Sequence, residues 1–169
     1  MITLVLGGTR SGKSEVAEGL LPAAGPVTYV ATGQVTDPDM ARRIDAHRRR
    51  RPPSWTTVEA GADLSAALDR SDGPVLVDSL GTWVAAHEDL APDVDALVAA
   101  LRARAARAAG PTVLVTEEVG LGVHPPTEVG RRFADALGAL NREVAAASDR
   151  VLLVVAGRVL PLDPAVPEA

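Results

Sequence analysis

Apolar, β-branched runs alternate along the chain with stretches whose apolar residues recur at helical spacing. ITLVL (2–6), VTYVA (27–31), PVLVDS (74–79), TVLVTE (112–117) and VLLVVAG (151–157) read as buried strands, and TTVE (56–59) as a shorter one. Between them, KSEVAEGLL (13–21), ADLSAALDR (62–70), DVDALVAALRARAARAAG (93–110) and residues 129–147 carry helical patterns. Asp37 and Pro38 form an N-cap and first-turn pair, opening a further helix that has to stop before Pro52. Such alternation predicts right-handed crossovers and an α/β fold, a mostly parallel sheet with helices on both faces. No repeat or linker interrupts the pattern. Residues 1–162 are therefore expected to form one domain, with a short tail at 163–169.

The turn after the first strand changes the picture from fold to chemistry. GGTRSGKS (7–14) fits the phosphate-binding pattern G-x-x-x-x-G-K-[ST], with Gly7, Gly12, Lys13 and Ser14 in register. The strand before it and the helix after it are the context the motif requires. Glycines let backbone N–H groups wrap phosphate oxygens, and a helix N-terminus adds a favourable dipole. Lys13 would reach the β- and γ-phosphates, and Ser14 would ligate Mg²⁺. A carboxylate at the end of a neighbouring strand is expected on the metal side. Asp78, closing VLVD, is the candidate.

Composition narrows the choice further. Of 17 basic residues, Lys13 is the one lysine; the others are arginine. A lone lysine points to a site that needs a compact ammonium on a flexible stem rather than a planar guanidinium. Hydrophobic residues make up 47% of the chain, yet its aromatics are Tyr29, Trp55, Trp83 and Phe133, so Ala, Val and Leu have to build the core. The formal charge of −5 argues against nucleic-acid binding, which draws its affinity from phosphate neutralisation. Without cysteine there is no disulfide, thiolate or Cys–zinc chemistry. No apolar run approaches the roughly 18 residues of a membrane helix, and no signal peptide is visible. A cytoplasmic protein is expected.

One stretch is unusual in an acidic chain. DAHRRRRPP (45–53) sets His47 before four arginines. By periodicity Met40, Ile44, His47 and Arg51 share one helical face, so His47 should turn towards the body of the domain. The residues alone leave two readings open: a solvated, cationic helix end beside a packed histidine, or a reactive histidine beside bound phosphates. His87 and His124 read as structural or solvent-exposed.

The motifs together resemble the bifunctional adenosylcobinamide kinase/adenosylcobinamide-phosphate guanylyltransferases of cobalamin biosynthesis. The resemblance runs from LVLGGTRSGKS through VTYVATGQVTDPDMARRIDAHRRRRP, Trp55, TVEA and VLVDSLGTWV. It resumes at EEVGLGVHPPTEVGRRFADALGALNREVA and DRVLLVVAG, and so covers nearly the whole chain. Where that family often has NEVG and FRD, this chain reads TEEVG and FAD, and no role is carried onto Thr116 or Ala134.

The resemblance implies a RecA-like P-loop fold and a homo-oligomer, with a trimer as the candidate assembly. It implies ATP or GTP as phosphoryl donor to adenosylcobinamide, with Mg²⁺. It then implies GMP transfer from GTP through a guanylylated His47 to the new phosphate. The nucleotide would lie along Gly7, Gly8, Thr9, Arg10, Ser11, Gly12, Lys13 and Ser14, along Ala31, Thr32 and Gly33, along Arg48, Arg49, Arg50 and Arg51, and by Glu59 and Asp78. Mg²⁺ would take Ser14 and Asp78. The chemistry is coherent: a histidine nucleophile must be neutral, and adjacent arginines disfavour imidazolium by like-charge repulsion. Two other functions fit the phosphate loop, a single-activity small-molecule kinase with a structural His47 and a nucleotide-dependent binding switch.

Overall fold

A computed structural model describes residues 1–33, 42, 45 and 48–164. Strands β1 (Ile2–Gly7), β2 (Val27–Ala31), β3 (Trp55–Glu59), β4 (Val75–Asp78), β5 (Thr112–Glu117), β6 (Arg150–Val155) and β7 (Arg158–Leu162) form one sheet in the order β3-β2-β4-β5-β1-β6-β7. All neighbours run parallel except β6 and β7. The described helices with complete boundaries are α1 (Lys13–Gly19), α2 (Leu64–Asp69), α3 (Leu80–Ala85), α4 (Val94–Ala106) and α5 (Glu128–Ala146). No described helix is long and apolar enough to cross a membrane.

Strands β1, β4 and β5 are buried on both faces, which is why they read as continuous apolar runs. Ile2, Leu4 and Leu6 of β1 point into a core shared with residues of α2, α3, α4 and α5, while Val5 points to the opposite core with Ala17 of α1. Helix starts follow the sequence closely. Asp63, Asp93 and Thr127 accept a backbone N–H three residues on, and Ser79 forms a reciprocal capping box with Thr82. Each such cap is worth about 1 kcal/mol.

Three features depart from the sequence expectation. Helix α3 follows β4 directly, on LGTWVA, where no helix is expected; six residues are too few to show a helical period. The final strand run ends at Val155 and folds back as β7, through a two-residue turn with positive φ at Ala156 and Gly157. That geometry matches the twist of a tight hairpin. Finally, β4 does not neighbour β1. Strand β5 lies between them, so Asp78 stands one strand further from the phosphate loop than its motif suggests.

Two polar residues occupy apolar stripes. On α4 the buried face is Leu97, Ala100, Leu101 and Arg104. The Arg104 guanidinium reaches the carbonyls of Leu68 (3.0 Å), Ser71 and Gly73 (2.8 Å) and the Thr112 hydroxyl (3.2 Å). It thus closes the C-terminal end of α2 and joins it to the start of β5. Burial, reinforced by Arg107, lowers its pKa from the ordinary value, but a guanidinium remains charged in proteins.

Arg104→Ala should take this partner from the Ser71 and Gly73 carbonyls and open a cavity. We expect a loss of about 3–5 kcal/mol, read as a lower urea midpoint with unchanged slope. A midpoint equal to wild type would mean that water replaces the guanidinium without cost.

Candidate active site

The C-terminal ends of the parallel strands form a single line. Gly7, Ala31, Glu59, Asp78 and Glu117 are the last residues of β1 to β5, with Gly7 paired to Glu117 and Ala31 to both Glu59 and Asp78. Open parallel sheets place their ligand crevice at this edge. The sequence-predicted acids and the phosphate loop therefore share one rim of the molecule.

The loop is folded tightly on itself. A Cβ at Gly7 would collide with the Ser11 side chain and lie 2.8 Å from the Val154 carbonyl, so only glycine fits. Gly12 sits at φ 91°, a conformation natural to glycine, immediately before α1. Gly157 of the β6–β7 turn donates its N–H to the Ser11 carbonyl at 2.8 Å, and a Cβ on Gly12 would touch Gly157 at 3.5 Å. The antiparallel hairpin is a brace for the loop. Gly8, Thr9 and Arg10 are exposed along it, and Lys13 and Ser14 are half-buried at its end.

Lys13 has two partners: its Nζ lies 3.4 Å from the Gly8 carbonyl and 3.5 Å from Glu117 Oε1. Glu117 Oε2 in turn accepts a hydrogen bond from the Ser79 hydroxyl at 3.1 Å. The carboxylate packs over Gly81 so closely that a methyl group there would run into it. Asn141, the polar member of the α5 stripe Leu137, Leu140, Asn141 and Val144, fixes this strand end. Its amide donates to the Glu117 carbonyl (3.1 Å) and its oxygen accepts from the Thr116 hydroxyl (2.7 Å). Glu117 is absent from the residues expected at the site. Its signal was the one that marked Asp78, an acid closing an apolar strand.

Asp78 Oδ2 accepts a hydrogen bond from the Tyr29 phenol at 3.1 Å, and the Arg51 guanidinium lies over the same ring, 3.6 Å from its centre. Thr32 is buried, its hydroxyl 2.6 Å from the Ser79 carbonyl and from the Thr82 hydroxyl. This ties the Ala31–Gly33 segment to the start of α3. Glu59 is exposed at the far edge of the line, four strand spacings from Gly7, or about 19 Å. Glu59 cannot touch a phosphate held in the loop; if it serves a nucleotide, it serves another part of it.

The arginine run divides. Residues 48–50 are helical and exposed, and Arg50 pairs with Glu18 of α1 at 3.2 Å. Arg51 is half-buried on Tyr29 and donates to the Thr57 hydroxyl at 3.2 Å. Arg48 and Arg51, with Pro52, Pro53, Trp55 and Thr57, line an open cavity of about 200 Å³. Trp55 Nε1 is buried with no hydrogen-bond partner among the described residues. His47 lies outside the described residues, as does most of the helix expected from Asp37 to before Pro52. His87 is a structural histidine: Nδ1 is 2.9 Å from the Trp83 carbonyl and the ring sits edge-on to that indole. His124 is exposed.

A phosphate loop on a central parallel strand, braced by its own hairpin, defines a P-loop NTPase-type fold. Solved structures agree. The flagellar accessory protein FlaH of Methanocaldococcus jannaschii superposes with TM-score 0.52 at 15% identity, over 94% of this chain and 74% of that one. A KaiC-like protein of Pyrococcus horikoshii OT3 gives 0.53 at 15% identity, over 90% and 69%. These likenesses speak to the fold alone.

Sequence relatives speak to the family. Residues 3–162 match the CobU family, described as cobinamide kinase / cobinamide phosphate guanyltransferase. The bifunctional adenosylcobalamin biosynthesis protein CobU of Escherichia coli K12 is 38% identical, over 93% of this chain and 97% of its own. The CobP protein of Pseudomonas aeruginosa PAO1 carries the same description and is 41% identical, over 96% and 97%. The chain belongs to this family of kinase and guanylyltransferase enzymes of cobalamin biosynthesis.

The Tyr29–Asp78 contact can be tested by titration. Burial first, and the Asp78 carboxylate second, push the phenol far above its usual range near 10. A raised folded-state pKa contributes stability that is fully present below about pH 10 and lost as pH rises toward the folded value. Tyr29 is the chain's one tyrosine, so tyrosinate absorbance should appear only as the protein unfolds in alkali. Tyrosinate at about pH 10 in the still-folded protein would contradict the burial of this phenol against Asp78.

Proposed function

We propose that this enzyme first transfers the γ-phosphoryl group of ATP or GTP to the terminal hydroxyl of adenosylcobinamide. It then moves GMP from GTP, by way of His47, onto the phosphate so formed, giving adenosylcobinamide-GDP. The observation that carries the reading is the braced phosphate loop, with Lys13 set against Glu117, in a chain that matches the family along almost its whole length.

The loop's exposed backbone from Gly8 to Arg10 would cradle the phosphates, and Lys13 would leave the Gly8 carbonyl for their oxygens. Phosphoryl transfer asks little covalent chemistry of a protein; positioning and charge stabilisation carry it. The oxygen donors at hand suit Mg²⁺. The Ser14 hydroxyl and the Asp78 carboxylate would hold it, and among the described residues no group of three or more acids or histidines forms a protein cage. Mg²⁺ normally keeps waters and substrate phosphates in its shell. When bound it would neutralise charge on the transferring group.

Guanylyl transfer needs a different nucleophile. Neutral His47 would attack the α-phosphorus of GTP and expel pyrophosphate; the substrate phosphate would then displace the histidine. A covalent carrier divides one displacement into two. Arg48 and Arg49 are exposed and available to phosphate oxygens, and guanidinium groups bind these bidentately. Arg50 and Arg51 are held by Glu18 and Tyr29, and would serve by fixing the arginine segment against α1 and β2.

Three proteins test the proposal with labelled GTP. Wild type should acquire an acid-labile, alkali-stable label from α-labelled but not γ-labelled GTP. His47→Asn should lose that label and GDP-derivative formation while still phosphorylating adenosylcobinamide. Lys13→Ala should depress both reactions, by about 10²–10³-fold. An unlabelled wild type that phosphorylates the corrinoid would make this a kinase alone. Nucleotide binding without transfer of either group would make it a switch.

A further inference from the structure

The site described above contains a carboxylate that neither the phosphate grip nor the proposed metal site uses. Glu117 is held from three sides. Its main chain is fixed by Asn141, its Oε2 by the Ser79 hydroxyl at 3.1 Å, and its Oε1 faces Lys13 at 3.5 Å. The side chain is half-buried, and α3 brings a glycine, Gly81, against it where any larger residue would displace it. Such fixation exceeds what an ion pair for Lys13 requires, since a lysine on a four-carbon stem can follow a mobile acid.

We propose that Glu117 accepts the proton of the attacking hydroxyl in the kinase step. The inference rests on the kinase reading above and assigns one more residue to it. A γ-phosphate that draws Lys13 off Glu117 would stay within reach of that one side chain, and the Glu117 carboxylate would border the position of the incoming alcohol. The hydroxyl oxygen forms a bond to the γ-phosphorus, the bond from that phosphorus to the β,γ-bridging oxygen breaks, and the nucleoside diphosphate leaves with those electrons. The proton passes to Glu117 and from there to solvent. Lys13 offsets the repulsion between the carboxylate and the phosphate.

The two reactions differ in their need for such a base. An alcohol must lose a proton as it attacks. The acceptor in guanylyl transfer is a phosphate, already anionic, and needs none. A base at Glu117 therefore serves one half of the enzyme's work, whereas a role in holding Mg²⁺ or the triphosphate would serve both.

The test compares wild type and Glu117→Gln, a change that keeps the shape and an oxygen for Ser79. Each is assayed for phosphorylation of adenosylcobinamide with ATP, and separately for guanylyl transfer from GTP to adenosylcobinamide phosphate. Wild-type phosphorylation establishes the kinase reading; its absence sinks that reading whatever the variant does. In the variant, kcat for phosphorylation should fall about 10²–10⁴-fold, with KM for ATP little changed and guanylyl transfer retained. Unchanged phosphorylation, or a loss of guanylyl transfer as large as that of phosphorylation, would overturn the proposal for Glu117 alone.

Discussion

The site depends on one close approach of backbone to backbone. Ser11 gives its carbonyl to Gly157, Gly7 leaves no space for a side chain between Ser11 and Val154, and Gly12 lies against Gly157. These contacts fix the phosphate loop on a scaffold of strands β1 and β6 rather than leaving it to its own turn preferences. The arrangement explains an otherwise odd feature, an antiparallel hairpin at the edge of a parallel sheet. Strand β7 is exposed along its length and contributes little to the core. Its value lies in the tight turn that delivers Gly157.

From that fixed loop the rest of the site follows through strand order. Placing β5 between β1 and β4 puts Glu117 beside Lys13 and moves Asp78 to the Tyr29 side. Two acids that look alike in the sequence thereby acquire different surroundings. Glu117 meets an ammonium and a hydroxyl; Asp78 meets a buried phenol. The aromatic beneath Arg51 is that same phenol, so Tyr29 joins the arginine segment to the acid at the end of β4 through a single side chain.

Polar residues within apolar stripes do the joining elsewhere. Arg104 and Asn141 each take the place of a leucine on the buried face of a helix, and each satisfies backbone or hydroxyl groups of another element. An unpaired polar group at either position would cost more than its hydrogen bonds gain. Both are tolerable because each is met by several partners, carbonyls and a threonine hydroxyl at the ends of strands and helices. At the N-terminal side of the sheet this bonding supports the fold, through Arg104. At the C-terminal side it supports the site, through Asn141.

The sequence by itself determined the alternation of strands and helices, the phosphate loop with its one lysine, and the family. These are local in origin: a period of residues, a run of glycines, a motif of fixed spacing. Asp78 and Glu117 were equally visible as acids ending apolar strands, whereas the burial of Arg104 and Asn141 emerged with the packing of α4 and α5. Only the tertiary structure decided which acid meets Lys13, because strand order depends on long-range packing that no window of sequence reports. It also decided the brace at Gly157, which joins residues nearly the whole chain apart. The six-residue α3 escaped for the opposite reason: it is too short to show a period, and its capping box and the burial of Trp83 hold it in place.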